Sequence, residues 1–276
     1  MKTESTSLTK QNPLRAYKPS QAISSFEVAF SKVTSIEEAF EQLLIQCLQQ
    51  LQENEDGISH VYHIESLHQF RIGLRRLRLT TILFKNLIVV PTELIAELKW
   101  LITSLGPARD CDVLLRETLP RLAKIVPQRI ELGEIQTAAK DLAFKKHRIA
   151  ASAIGSQRYT LFVLNFLLWV HTRGWRDALT PHQKKALKKN ITAFCHDKIA
   201  RRNHQLLKQS RLIEVGNITM LHRTRITAKY ARYTTEFFSA LLSPKKAPVG
   251  STGQSNTGIK FTSWRFKSQG FSWSLI

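Results

Sequence analysis

The stretch LHQFRIGLRRLRLTTILF, from Leu67 to Phe84, holds four arginines and no acid. A helix through it, at about 100° per residue, places His68, Arg71, Arg75 and Arg78 on one narrow stripe. Phe70, Leu74, Leu77, Phe84 and Ile88 then line the opposite side, and Ile72, Leu79 and Leu83 form a second apolar strip. A helix that is apolar on two sides is largely buried, so the basic stripe is expected to face a cleft rather than open water. The cations there repel one another, and nearby acids are too few to neutralise them. The missing partner is expected to be an anionic ligand.

The pattern returns in LHRTRITAKYARYTTEFF. His222, Arg225, Lys229 and Arg232 repeat the spacing of His68, Arg71, Arg75 and Arg78, and Ile226 repeats Ile72. The offset of 154 residues is too long for a solenoid and suits an internal duplication of half a domain.

Composition narrows the ligand. The chain has 276 residues and a net charge of +20, which points to nucleic acid, an anionic membrane surface or polyphosphate. Its length suits one large domain or two small ones with a real core. Cys47, Cys111 and Cys195 are widely spaced within helical patterns and read as small core residues, not as a disulfide framework or metal site. The start, MKTESTSLTK, lacks the apolar run of a secretory signal. The most apolar run, from Leu161 to Val170, is about half the length that spans a bilayer. A soluble, cytoplasmic protein without a membrane span is expected.

Along the chain, residues 1–34 read as a flexible N-terminal arm with some order near Phe26 to Val33. Ser35 and Glu38 form a capping-box pattern that opens a helix carrying Ile36, Phe40, Leu43, Leu44, Cys47 and Leu51 on its apolar face, broken at residues 54–57. The basic helix follows over about residues 60–88, and Pro91 ends it. Thr92 is expected to cap a third helix. Gly106-Pro107 marks a turn, with Pro107 opening a fourth helix that holds Arg109, Asp110 and Asp112 in its first turns. The two acids fit arginine pairing better than a metal site or an acid/base pair. A fifth helix spans about residues 128–154, and its Lys140, Lys145, Lys146 and His147 are mostly solvent-facing. The sixth, opened by Arg158-Tyr159, should bury Leu161, Phe162, Leu164, Leu167, Leu168 and Trp169; His171 at its end is a structural histidine. Thr180-Pro181-His182-Gln183 opens a seventh helix running to about Arg211, with solvated lysine pairs near its start. The second basic helix covers about residues 219–242, where Pro244 stops it. That makes about eight helices and no strand. Residues 244–276 are Gly- and Ser-rich and acid-free, without helical period; they form an irregular tail whose Phe261, Trp264, Phe266, Phe271 and Trp273 could cover exposed core.

HQFRIGLRRLR, LGPARDCDV and HRTRITAKYARY, in this order, resemble the CHAD family, the conserved-histidine α-helical domain. The resemblance covers roughly residues 36–242. It implies an all-α single helical domain, over residues 35–243, of two pseudo-symmetric antiparallel bundles around a basic cavity. It also implies binding of inorganic polyphosphate, with association with polyphosphate granules as an extension. The positions carried over are His68, Arg71, Arg75, Arg76, Arg78, His222, Arg225, Lys229 and Arg232; Arg148 and Arg158 resemble further cavity-lining positions, and Arg201, Lys208 and Arg211 lie near others. Arg109, Asp110 and Asp112 would hold arginines in place. Two departures stand out. Tyr230 occupies a position where the family usually has a cation. A second LG-type helical region, paralleling Leu105-Gly106, is missing after residue 242, which shortens the C-terminal half.

Two other functions compete. Nucleic-acid binding fits the charge, but no aromatic platforms interleave with the stripe and no reading motif is present. A phosphate-processing enzyme could use the histidines or a metal, yet arginines around His68 and His222 oppose a cation. The reading is therefore a non-catalytic polyphosphate binder with no cofactor and no metal, for which nucleic acid is a competing polyanion.

Overall fold

The computed structural model describes Ala22, Phe30 and residues 33–60, 62–125, 131–213 and 217–238. The expected arm and tail, including the tail aromatics, lie outside the described residues except for Ala22, Phe30, Val33 and Thr34. Among the described residues the fold is all-α, with nine α-helices and one π-helical turn.

Helix α1 (Ile36–Ser59) opens with the expected capping box: Glu38 N–H donates to Ser35 Oγ at 3.2 Å, and Ser35 N–H donates to Glu38 Oε2 at 2.8 Å. It does not break at residues 54–57. Asn54 is buried and donates from Nδ2 to Gln50 O at 2.9 Å. Gly57 is needed for close approach instead, since a Cβ there would collide with the Ser66 side chain. Polar and small residues that read as a helix end serve the contact with α2 (Ile64–Phe84). That helix is shorter than expected at both ends, and the His63 side chain accepts from Ser66 N–H at 3.4 Å as its cap.

Helix α3 (Thr92–Val113) runs straight through Pro107, which corrects the expected turn and new start. An interior proline costs about 3 kcal/mol through its lost hydrogen bond and ring clash. The buried stripe of Leu98, Leu101, Leu105, Ala108 and Asp112 continues on both sides of it with unbroken 3–4 spacing, and that burial offsets the cost. The helix starts without a side-chain cap; Thr92 Oγ1 donates to Glu93 Oε1 at 3.1 Å instead. A π-helical turn (Leu114–Thr118) leads into α4 (Leu119–Ile125).

Helices α5 (Glu131–Ile154) and α6 (Gln157–His171) form a hairpin against α1 and α3. The sixth helix is not buried all round, as its apolar composition suggests. Phe162, Phe166, Trp169 and Val170 are buried, whereas Leu161, Leu164 and Leu168 are exposed. The helix lies in an outer layer, and a 3.6-residue period turns one face of even an apolar helix away from the core.

The single helix expected over residues 181–211 is two: α7 (Pro181–Leu187) and α8 (Ile191–Ser210). Asn190 restarts the chain, its Oδ1 accepting from Thr192 N–H at 2.8 Å. Tertiary bonds hold the break open: Ile191 N–H donates to Thr34 O at 3.0 Å and Ile36 N–H to Lys189 O at 2.9 Å. The starts of α1 and α8 are thus stitched by a short antiparallel bridge between Ser35 and Asn190. Helix α9 (Ile218–Phe237) packs against α8 and reaches α2.

The core centres on α1 and α2. Phe40 meets Phe84 at 5.0 Å between ring centroids and Trp175 edge-on at 5.2 Å, and Trp169 joins Trp175 at 5.1 Å. Each such fully buried side chain contributes roughly 1.5–3 kcal/mol or more. Phe30, ahead of α1, is buried against Phe238 at the end of α9.

Candidate polyanion-binding face

The basic stripe of α2 leaves the core side of the helix at Phe70, Leu74 and Leu77, all buried, and turns His68, Arg71 and Arg75 to a half-buried position. Arg78, one turn on, is exposed. Gly106 of α3 lies against the stripe, where a Cβ would stand 3.3 Å from Arg71 Nη1. That nitrogen is buried and has no hydrogen-bond partner. Burial first, then Arg75, pulls the Arg71 pKa down to about 10, with Asp110 acting the other way and Arg109 adding to the repulsion.

Helix α9 closes the same face. Lys229 is half-buried, and burial followed by Arg75, Arg225, Arg232 and Arg71 lowers its pKa. Cations of both motif helices therefore share one electrostatic neighbourhood, although Lys229 and Arg71 are separated by most of the described chain. Glu236 is a local counter-charge, with Oε1 3.0 Å from Arg232 Nε and Oε2 3.8 Å from Arg76 Nη2, so it bridges α9 and α2. His222 and Arg225 are exposed near the start of α9.

The remaining expected positions are scattered. Arg158 is taken up structurally: it donates from Nε and Nη2 to Glu97 at 2.6 and 3.0 Å and lies 4.1 Å from the Trp100 ring centroid, joining α6 to α3. Arg201 is exposed and paired with Asp197 at 2.7 Å on its own helix. Lys208 and Arg211 are exposed at the far end of α8, and Arg148 is exposed on α5. Tyr230, standing where a cation was expected, carries the Arg202 guanidinium of α8 at 5.5 Å from its ring centroid. The charge missing from the motif is thus supplied by a neighbour, a substitution that only the packing of α8 on α9 reveals.

The acids of the LGPARD segment behave differently from one another. Asp112 is 1% exposed and does not hold an arginine. It accepts from the Tyr62 hydroxyl at 2.7 Å and contacts His147 Nε2 at 2.9 Å, while the Tyr62 and His147 rings stack at 3.5 Å. This buried group ties the approach to α2 to α3 and α5. Arg109, one turn before Asp112, belongs electrostatically to the basic face, acting on both His68 and Arg71. Asp110 is exposed and acts on Arg71. Among the described residues there is no group of three or more His, Cys, Asp or Glu that could hold a metal ion. No described helix is long and apolar enough to cross a membrane.

The chain is thus an all-α helical protein in which two arginine-rich helices meet over a half-buried, basic face. The CHAD domain family model matches residues 42–250, and the chain belongs to that family. The CHAD domain from the plant Ricinus communis has a crystal structure similar to this one, with TM-score 0.70 and 31% identity over 80% of this chain and 71% of that one. PptA from Streptomyces chartreusis shares the fold, with TM-score 0.55 at 14% identity over 75% of this chain and 76% of that one. No curated protein matches the chain.

Proposed function

We propose that this cytoplasmic CHAD protein binds inorganic polyphosphate, without turning it over, on the face formed by His68, Arg71, Arg75, Arg109, Arg225, Lys229 and Arg232. The observation that carries the reading is the convergence of Lys229 from α9 with Arg71 and Arg75 from α2, where burial and mutual repulsion weaken the hold of Lys229 and Arg71 on their protons. An arriving polyanion relieves the repulsion and gives the half-buried charges a partner. Arginine offers planar forked donors to phosphate oxygens and lysine a compact point charge, so a mixed row suits a flexible chain of tetrahedral phosphates. The buried Arg71 Nη1 without a partner supplies a donor ready for such an oxygen.

The test compares variants of equal charge loss. Arg71→Ala/Arg75→Ala and Arg225→Ala/Lys229→Ala should each weaken polyphosphate binding more than tenfold, since a charge-assisted contact contributes about 1.5–3 kcal/mol. Lys184→Ala/Lys188→Ala, which alters exposed residues at the start and end of α7, should change affinity little. Equal losses in all three double variants would make the binding diffuse electrostatics. Displacement of bound polyphosphate by RNA at matched phosphate concentration would favour a nucleic-acid binder, and phosphate release with added magnesium would favour an enzyme.

A further inference from the structure

His68 and His222 hold equivalent places in the two motifs, yet the fold gives them unlike surroundings. His222 is exposed near the start of α9. His68 is half-buried, and Arg109 of α3 together with Arg75 and Arg71 of α2 act on it, opposed by Glu65 one turn earlier on α2. Lys229 of α9 faces Arg71 and Arg75 in turn. Burial first, and these cations next, hold the His68 imidazole below its ordinary value of 6.5. Its neighbour Arg71 meanwhile keeps a buried guanidinium nitrogen without a partner beside Gly106.

The cationic repulsion that adds to burial in keeping His68 neutral is reversed by one event. Phosphates laid against Arg71, Arg75 and Arg109 cancel the repelling field and place acceptor oxygens beside the ring. A neutral imidazole has one N–H donor and one lone-pair nitrogen; the imidazolium has two donors and a charge. Resting on the polyphosphate reading above, we propose that His68, and not His222, is a proton-coupled ligand group, neutral in the free protein and protonated from solvent as polyphosphate binds. Each protein that docks on the chain then takes up a proton from the buffer, and no bond to phosphorus forms or breaks. Histidine suits this role because its charge changes in the physiological range, whereas Arg71 and Lys229 are already charged there.

The linkage has a definite sign. The complex holds more protons than the free components, so binding tightens as pH falls through the window between the free and bound titrations of His68. Above that window the dependence vanishes.

The experiment is calorimetry of the full chain with long-chain inorganic polyphosphate at fixed salt and about pH 7, in two buffers of different ionisation enthalpy. Long chains are used because only their end groups titrate near neutrality. Proton uptake approaching about one per bound protein is expected for the natural sequence and for His222→Gln, whatever the affinity of the latter. His68→Gln should show uptake near zero and an affinity indifferent to pH between about 6 and 8. A second readout needs no substitution: the ring resonances of His68 in the natural protein should titrate at higher pH once polyphosphate is added. Equal uptake in His68→Gln and the natural protein, loss of uptake in His222→Gln instead, or an unmoved His68 titration overturns the proposal. Tight binding with no proton exchange sinks it while leaving the polyphosphate reading intact. Absence of binding by the natural protein sinks both.

Discussion

Asp112 shows how one residue can be read correctly in kind and wrongly in partner. A carboxylate in an arginine-rich motif is expected to neutralise arginine, and Asp110 does act on Arg71. Asp112 is instead turned inward by the helix period, where a charge is tolerated only with hydrogen bonds, and Tyr62 and His147 provide them. Asp112→Ala should therefore lower stability by about 3 kcal/mol, because two half-buried donors lose their acceptor. Asp112→Asn, which keeps an acceptor for the Tyr62 hydroxyl, should lose less. Thermal melts of the two variants decide it, and an Asp112→Ala melt like that of the natural protein would make this buried group dispensable. None of this was legible in sequence, because Tyr62, Asp112 and His147 come from three distant segments.

Among the elements, α1 is the one that packs on α2, α5, α6, α7 and α8 alike. It packs on α2 along its buried face, and its N-terminal acids reach the turn after α6. Glu37 Oε1 accepts from Trp175 Nε1 at 2.9 Å and from Arg176 Nε at 2.8 Å. The hydrogen bond from Arg176 is the main cause that holds the Glu37 carboxyl below its ordinary 4.5, with burial opposing it. A depressed carboxylate contributes stability that is present above its unfolded value and lost as pH falls through the folded one. The melting temperature of Glu37→Gln should accordingly lie below that of the natural protein at about pH 7, with the gap closing below about pH 4. A gap that stays constant with pH would assign the effect to packing. The capping signals at Ser35 and Thr180 fixed helix starts that the structure keeps, since a side chain and a backbone N–H three residues on need no tertiary help. Helix ends were less legible: Asn54 and Gly57 read as a break and Pro107 as a start where the helices continue, and the stop at Lys189, held by its bond from Ile36 N–H, carried no local signal.

At the scale of the whole molecule, a net charge of +20 attracts polyanions of any kind, and the question for the proposed binding is how much of it is localised. A face of about six cations should give a steep salt dependence, with polyphosphate affinity falling about a thousandfold between about 50 and 200 mM salt as counterions are released. The Arg71→Ala/Arg75→Ala variant should show a shallower slope than Lys184→Ala/Lys188→Ala. A flat dependence for the natural protein would exclude a multi-cation face.

The two basic motifs and their period are local facts of the chain, and they determined by themselves that α2 and α9 would be helices with one cationic stripe each. The same period placed Phe70, Leu74 and Leu77 in the core. Which cations would share a neighbourhood was another matter. Arg71, Arg75, Arg109 and Lys229 meet only because α3 and α9 both dock on the α2 side, while Arg158 is drawn off to Glu97 and Trp100 and Arg202 comes in over Tyr230. Spacing made His68 and His222 equals; packing half-buried one and left the other exposed. Periodicity is carried by neighbours along the chain, but burial and electrostatic field are set by what arrives from elsewhere, and those only the tertiary structure decided.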